Sequence, residues 1–233
     1  MADVPSKSAL IVWVGQGLSA SVARLFASNG LKVTLASRTV DDLAQLAKDI
    51  GGNAIACDAS KPDAVAKLFA EVEATSGAPD VVVYNASYRT RGPVAELVPA
   101  EVEKSLIVSA FAGFLVAQQA VKRMLPNKHG AILLTGASAS VKGYPLSAPF
   151  AMGKFALRGL AQSLAREVQP QGIHVAHFVI DGGIRSANRP EPADKPDSML
   201  DPDGIALSYL QVLQQPRNAW TWEIELRPWV ERF

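Results

Sequence analysis

The sequence predicts an α/β fold, a doubly wound parallel sheet with helices on both faces. Short β-branched apolar runs alternate with longer segments of helical period through the first two-thirds of the chain. Gly30, Gly51 and Gly130 follow predicted helices or precede strands, where a positive φ is often needed. Strand–helix–strand alternation favours a parallel sheet, and right-handed crossovers place ligand sites at the carboxyl ends of its strands.

The elements follow one another in a regular order. Buried strands are predicted at the short apolar runs Ala9–Val14, Lys32–Ala36, Ala54–Cys57, Asp80–Tyr84, Ala131–Thr135 and His174–Ile180. Helices are predicted where apolar residues recur at helical spacing, over Ser19–Asn29, Val40–Ile50, Pro62–Ser76, Ala100–Leu125 and Pro149–Val168. The last part is predicted to contain a flap at 187–203, a short helix Gly204–Gln214 and an edge strand Ala219–Leu226. The whole length, 1–233, fits a single domain.

Composition excludes several functional classes. Lys and Arg total 23 against 22 for Asp and Glu, so no overall charge favours nucleic acid or an anionic membrane. The longest apolar stretch, Leu106 to Ala117, is shorter than the ~20 residues that cross a bilayer. The start, MADVPSKSAL, lacks a signal-peptide pattern, and the lone Cys57 suits a reducing cytoplasm. We therefore expect a cytoplasmic protein with a small-molecule partner and no nucleic-acid or membrane role.

No metal centre is predicted. His174 and His177 lie three residues apart in a predicted strand, so their side chains should point to opposite faces of the sheet.

A glycine-rich turn indicates a nucleotide site. Gly15-Gln16-Gly17-Leu18-Ser19 runs directly from the first strand into a helix. Glycines here let the backbone approach a pyrophosphate, and the helix N-terminus supplies free N–H groups. We predict that Gly15, Gln16, Gly17 and Leu18 bind the cofactor.

The end of the second strand indicates which nicotinamide cofactor is bound. NAD-selective sites usually carry a carboxylate at this position, whereas this chain has Ser37-Arg38. Arg38 can pair with a 2′-phosphate and Ser37 does not repel it, which favours NADP(H). The alternative is a solvated surface arginine.

Over nearly its whole length the chain resembles the short-chain dehydrogenase/reductase family. Asp58 matches the residue that usually contacts adenine, and Asn85-Ala86-Ser87 resembles the Asn-Ala-Gly element. Lys154 matches the lysine of the Tyr-x-x-x-Lys motif, and Asp181-Gly182-Gly183-Ile184 resembles the Pro-Gly segment. The resemblance implies that Asp58, Asn85, Ala86, Lys154, Gly182 and Ile184 contact the cofactor. It also implies a homodimer or homotetramer formed through helices Ala100–Leu125 and Pro149–Val168.

The same resemblance shows where the chain departs from the family. Trp13 and Ser19 stand at two glycine positions of the turn, and Asp181 replaces the proline. Phe150 stands four residues before Lys154, in the place of the catalytic tyrosine, and it carries no exchangeable proton. Ala137 takes the place of the serine, and Ser109 the place of the asparagine.

Other groups must then supply the proton if the protein is an enzyme. Ser138 lies one position after the missing serine, and Tyr88 follows the Asn85-Ala86-Ser87 element. We predict Lys154, Ser138, Tyr88 and Ser109 as the catalytic set, with water as a further proton source. Removing a general acid typically costs ~10²–10⁴ in rate. Arg89 and Arg91 flank the same loop, either as solvated side chains or as ligands of a substrate carboxylate or phosphate.

Two functions remain open at this point. The first is an NADP(H)-dependent oxidoreductase of the short-chain dehydrogenase/reductase type, acting on a small carbonyl or alcohol by a non-standard proton route. The second is a catalytically weak cofactor-binding sensor, scaffold or assembly partner, which the loss of tyrosine, serine and asparagine predicts. A hydrolase built on Ser138 is disfavoured because no histidine follows Asp181, as the order serine–acid–histidine requires.

Overall fold

The computed structural model describes residues 6–231; Met1–Pro5, the first half of the segment that lacks a signal-peptide pattern, lie outside the described part, as do the last two residues. Across residues 6–231, seven parallel strands form one sheet in the order β3-β2-β1-β4-β5-β6-β7. The strands are β1 Ser8–Val12, β2 Lys32–Ser37, β3 Asn53–Ala56, β4 Val81–Tyr84, β5 Gly130–Thr135, β6 Ile173–Ile180 and β7 Glu223–Leu226. The predicted doubly wound α/β fold is confirmed.

The helices cover both faces of this sheet. They are α1 Leu18–Ser28, α2 Ala44–Asp49, α3 Pro62–Ser76, α4 Pro99–Leu106, α5 Ala112–Met124, α6 Ala148–Val168 and α7 Pro202–Leu213. One hydrophobic core joins α1, α2 and α7 to one face, and a second core joins α3, α5 and α6 to the other. Alternate residues of each strand enter opposite cores, as with Ile11 and Leu10 of β1.

Several predicted boundaries differ from those of the structure, two of them in helices. The long helix Ala100–Leu125 is interrupted by a π-helical turn, Ile107–Phe111, which widens the backbone between α4 and α5. The predicted helix Val40–Ile50 begins with a 3-10 turn before α2.

The predicted edge strand Ala219–Leu226 is shorter than expected. Arg217–Ala219 forms a 3-10 turn, and only Glu223–Leu226 pairs with β6. Trp220 instead stacks on His174, with ring centroids 4.6 Å apart, and its indole N–H donates to Gln215 O. Because Trp220 packs on His174 and does not join the sheet, apolar spacing alone overestimated the length of this strand.

The predicted flap contains little regular structure. Between β6 and α7 the chain forms isolated bridges that pair Ile184 with Leu200 and Ser186 with Arg189. Leu200 is buried, so it anchors the end of the flap to the sheet. The flap ends at Asp201, since α7 begins two residues earlier than predicted.

No helix within residues 6–231 is long and apolar enough to cross a bilayer.

Candidate active site

The turn after β1 keeps a glycine-like backbone although it carries a tryptophan. Trp13 has a φ of 71°, a conformation that costs an L-residue roughly 1–2 kcal/mol. Its backbone N–H donates to Ala36 O at 2.8 Å, and Ser19 Oγ donates to Trp13 O at 3.2 Å. Asn85 Nδ2 in turn donates to Ser19 Oγ at 2.7 Å. Ser19 therefore ties the turn to the end of β4.

A groove of about 310 Å³ opens beside this turn. A Cβ added at Gly15 or Gly17 would meet nothing within 4 Å, so the turn's backbone faces open space. The N-terminus of α1 lies at the groove, and its first turn holds no acidic residue that would repel an anion. Among the predicted cofactor-binding residues, the groove is lined by Gly15, Gly17, Leu18, Asn85 and Ile184.

Two other predicted cofactor-binding residues lie away from the groove wall. Gln16 is exposed and its side-chain amide donates to Asp42 O at 2.8 Å. Gly182 packs under Pro228, so that a Cβ there would lie 2.9 Å from the proline ring.

A second pocket of about 260 Å³ lies at the ends of β2 and β3. Arg38, Cys57 and Asp58 line it, and half-buried Ser37 precedes Arg38. The Arg38 guanidinium stacks over the Trp13 indole, 4.9 Å from the ring centroid. Trp13 also lines the first groove, so the indole lies between the two pockets.

The pocket holds one carboxylate and one neutral thiol. Partial burial raises the pKa of Asp58, but hydrogen bonds from Ser60 outweigh it and leave that pKa below its ordinary value. Ser60 donates to Asp58 Oδ1 through both its N–H, at 3.0 Å, and its hydroxyl, at 2.7 Å. Burial and the neighbouring Asp58 raise the pKa of the Cys57 thiol to about 11, so it stays protonated.

Lys154 is a buried cation at the carboxyl edge of the sheet. Its side chain donates to Thr135 O at 2.7 Å and to Ala86 O at 3.1 Å, and the residue is 2% exposed. Burial, followed by the charge of Arg89, lowers the pKa of Lys154 to about 7. Ala86 follows Asn85 directly, so Lys154 lies at the end of the groove.

Phe150 occupies the position one helical turn before Lys154. Its ring is buried, and the Lys154 Nζ lies 6.0 Å from the ring centroid. The Arg89 guanidinium covers the ring at 4.4 Å from the same centroid. Two cations therefore approach the ring where an ionisable hydroxyl would be expected.

The comparisons with known proteins agree with this geometry. The sequence profile described as short chain dehydrogenase matches residues 7–195. This chain belongs to the short-chain dehydrogenase family. An uncharacterized oxidoreductase of Staphylococcus aureus strain N315 is 26% identical over 237 residues, covering 98% of this chain and 100% of the relative.

Solved structures of the short-chain dehydrogenase family have the same fold. A short-chain dehydrogenase from Rhodopseudomonas palustris is 32% identical, with a TM-score of 0.82, over 97% of this chain and 100% of its own. A metagenomic short-chain oxidoreductase in complex with NADP is 27% identical, with a TM-score of 0.82, over 95% and 97% of the two chains.

The predicted proton donors of this short-chain dehydrogenase differ in their surroundings. Ser138 is half-buried in the turn after β5, and no hydrogen bond joins its hydroxyl to another of residues 6–231. The Tyr88 hydroxyl instead donates to Glu101 Oε2, and Lys104 Nζ lies 4.2 Å from the Tyr88 ring centroid. Tyr88 is therefore directed toward α4.

Ser109 lies in the π-helical turn and is fully buried. Its hydroxyl accepts a hydrogen bond from Tyr88 N at 3.4 Å, and a Cβ at Gly153 would lie 2.7 Å from Ser109 Cβ. The serine is thus held between the Tyr88 loop and α6.

A network of buried polar side chains lies under the turn that carries Ser138. Ser140 Oγ accepts from Ala137 N at 3.1 Å and lies 3.4 Å from His177 Nε2. His177 Nδ1 lies 3.0 Å from Glu223 Oε2, and Arg158 donates to both oxygens of Glu223, at 2.6 and 2.8 Å. This network of contacts joins the turn after β5 to β6, β7 and α6.

The surroundings of His177 in this network of polar side chains favour its neutral form. Burial lowers the pKa of His177 to about 4, although Glu223 opposes the shift. Burial raises the pKa of Glu223, but hydrogen bonds from Arg158 and His177 bring it below its ordinary value. This group could not be predicted from the sequence because Glu223 lies 46 residues after His177. A histidine in a buried strand was the only available signal.

The residue that replaces the proline is also paired. Lys142 donates to Asp181 Oδ2 at 3.1 Å, and Arg227 lies 3.4 Å from the same oxygen. Asp181 is buried, so these cations offset the cost of placing a carboxylate at the end of β6.

No group of histidine, cysteine or acidic side chains within residues 6–231 could hold a metal ion.

Proposed function

We propose that this chain is an NADP(H)-dependent oxidoreductase that transfers hydride to or from a small carbonyl or alcohol substrate. The observation that carries the proposal is the continuous edge of the sheet, from the Arg38 pocket through the glycine turn to Lys154. Open space above Gly15 and Gly17 fits a pyrophosphate, and Arg38 offers a cation to a 2′-phosphate. The NADP complex of the metagenomic relative supports the same cofactor.

Different residues at this edge would bind different parts of the cofactor. Asp58 and Arg38 would hold the adenosine half, the backbone of the Gly15–Leu18 turn the pyrophosphate, and Lys154 the nicotinamide ribose. Bound NADPH supplies the hydride for reduction of the substrate carbonyl. A proton must also reach the carbonyl oxygen as the C=O π bond breaks, and Phe150 cannot supply it.

Ser138 is our choice for the group that contacts the substrate oxygen. Its hydroxyl has no protein partner among the described residues, whereas the hydroxyls of Tyr88 and Ser109 are engaged with Glu101 and with Tyr88 N. A serine hydroxyl can donate to the substrate oxygen and accept from water, and so pass on a proton from solvent. Tyr88 and Ser109 act in our account as positioning residues for the loop.

Ser138→Ala tests the oxidoreductase proposal. With a panel of aldehydes and ketones, we expect kcat/KM to fall by ~10² or more while NADPH binds with unchanged Kd. Ser163→Ala, on the exposed side of α6, is the matched control and should leave both quantities unchanged. Equal turnover by the wild type and Ser138→Ala would remove Ser138 from the proton route.

A second function, a cofactor-binding sensor, scaffold or assembly partner, is favoured by one observation. Phe150 replaces the ionisable group with a buried ring. If NADPH binds but no carbonyl compound is reduced in a panel that includes neutral, carboxylated and phosphorylated members, this second function is the correct one.

We also propose that the protein forms a homodimer or homotetramer and is cytoplasmic. The large apolar side chains of Phe111 and Phe114, whose ring centroids lie 6.2 Å apart, and of Met152 and Phe155 on α6 are between 41% and 49% exposed. Such clustered apolar exposure is typical of an interface between subunits. The cytoplasmic location rests on the lone Cys57, whose thiol needs no oxidising compartment.

A further inference from the structure

Three exposed arginines lie near one another at the Phe150 end of the site, where the first of them covers the Phe150 ring. Arg89 and Arg91 belong to the loop after β4, and Arg189 belongs to the flap. None of these side chains forms an ion pair with a carboxylate within residues 6–231. The group is defined here as the arginine cluster.

Arg89 is an exposed side chain whose guanidinium is held against the Phe150 ring. Its guanidinium stacks on Phe150 at 4.4 Å from the ring centroid. The loop that carries it is held at both ends. Ser105 Oγ donates to Tyr88 O at 2.9 Å, and Gly92 N donates to Leu146 O at 3.1 Å.

Arg189 lies in the flap, and its side chain is exposed. Its guanidinium lies against the backbone at Gly183, so close that a Cβ there would be 2.9 Å from Nη2. Reciprocal backbone hydrogen bonds between Ser186 and Arg189, at 2.9 and 3.0 Å, fix the turn that carries this side chain. The absence of a side chain at Gly183 is what admits the guanidinium.

The cations of the cluster lie close enough to repel one another. Burial, then the charges of Arg91 and Arg189, lower the pKa of Arg89, and Arg89 in turn lowers that of Lys154. Like charges gathered without a counter-ion are unfavourable, and an anion placed between them would relieve the repulsion. Arginine forks bind carboxylate and phosphate oxygens in pairs, which suits an oxyanion.

The cofactor's own phosphates are not the expected occupant. The groove at the glycine turn and the Arg38 pocket are lined by other residues, and the arginine cluster lines neither of them. The cluster instead lies at the Phe150 and Lys154 end, where the substrate would react. An anion bound there would belong to the substrate.

We propose that the substrate carries an oxyanion, a carboxylate or a phosphate, which binds the cluster Arg89, Arg91 and Arg189 beside the reacting carbon. This inference rests on the proposed function for the identity of the reacting end. Charge pairing would hold the substrate oxygen near Ser138, and so compensate in part for the positioning that a tyrosine would provide. Neutral carbonyl compounds of the same size should then be poor substrates.

Binding of small anions to the NADP⁺-saturated protein tests this proposal without turnover. The probes are malonate, inorganic phosphate and the neutral dimethyl malonate, titrated by calorimetry. NADP⁺ saturation fills the pyrophosphate groove, which excludes anion binding there. We expect malonate or phosphate to bind at least about tenfold more tightly than dimethyl malonate, and the better of the two identifies the oxyanion.

Variants of the cluster complete the test. Arg89→Gln and Arg189→Gln should each weaken binding of that anion about tenfold or more, while Arg166→Gln at the far end of α6 changes nothing. Anion binding that is absent, or equal in all three variants, overturns the proposal. If NADP⁺ itself binds to none of the proteins, the proposed function fails. If NADP⁺ binds and the anions do not, only the arginine cluster inference fails.

Discussion

At the scale of single residues, the Lys154 ammonium departs strongly from its behaviour in water. Its ammonium is buried between two carbonyl oxygens with no carboxylate beside it, which favours the neutral amine. Burial and Arg89 bring its pKa from the ordinary 10.5 to about 7. A bound cofactor or substrate anion would restore the charge that burial disfavours.

This pKa predicts how stability depends on pH. Between about pH 7 and 10 the unfolded chain holds a proton on Lys154 that the folded chain has released, so unfolding free energy rises with pH. Relative to Lys154→Met, the wild type without cofactor should gain about 2 kcal/mol between about pH 7 and 9. Urea unfolding at each pH measures the difference. Parallel curves for the two proteins would show that Lys154 stays charged in the folded protein.

Some site residues could be predicted from the sequence and others could not. Gly15 and Gly17 were predicted from their position between a strand and a helix, and Lys154 from its match to the Tyr-x-x-x-Lys motif. The same resemblance identified Trp13 as a departure, but it could not show that the backbone keeps its positive φ through contacts with Ala36 and Ser19. These contacts form only when β1, β2 and α1 pack together, so a local sequence pattern does not reveal them.

At the scale of elements, the turn after β5 depends on close packing between strands. Gly136 lies against the His177 ring, and a Cβ there would be 2.3 Å from Nε2 and 2.7 Å from Ser140 Oγ. Because Gly136 has no side chain, the network of polar side chains that includes Ser140 and His177 can occupy the space beneath Ser138. The turn is therefore supported by a residue outside the predicted catalytic set.

Gly136→Ala tests this support. The added methyl group should displace His177 and lower the unfolding free energy by about 1–3 kcal/mol. Gly159→Ala is a matched control, because its added Cβ meets nothing within 4 Å. In that helix interior the same substitution should raise stability by roughly 0.5–1 kcal/mol. Equal effects of the two substitutions would contradict the packing argument.

Element order could be predicted more accurately than element ends. Periodicity identified every strand, but the break between α4 and α5 follows from a π-helical turn that apolar spacing does not reveal. The final strand was also predicted too long, because Trp220 packs on His174. Both differences arise from tertiary contacts that override a local pattern.

At the scale of the whole molecule, the exposed apolar side chains predict self-association. Phe155 on α6 is 45% exposed and Phe111 in the π-helical turn is 46% exposed, whereas Leu207, 48% exposed, lies on α7. The first two belong to the helices that the resemblance assigns to a dimer. Burying them against a second copy would remove this apolar surface from water.

Light scattering at micromolar protein concentration checks the prediction. The wild type should be a dimer or tetramer, and Phe155→Lys should dissociate it into smaller species because the new charge would be buried without a partner. Leu207→Lys, the control on α7, should still form at least dimers. A wild-type monomer at these concentrations would contradict the proposed assembly.

The central claim is that this edge of the sheet binds NADP(H), and direct titration tests it. Nicotinamide fluorescence should show NADPH binding at least about tenfold more tightly than NADH, since Arg38 pairs with the 2′-phosphate. Arg38→Gln should remove the preference, while Arg24→Gln on the exposed side of α1 should preserve it. Equal affinity of the wild type for both cofactors, or binding of neither, would contradict the account.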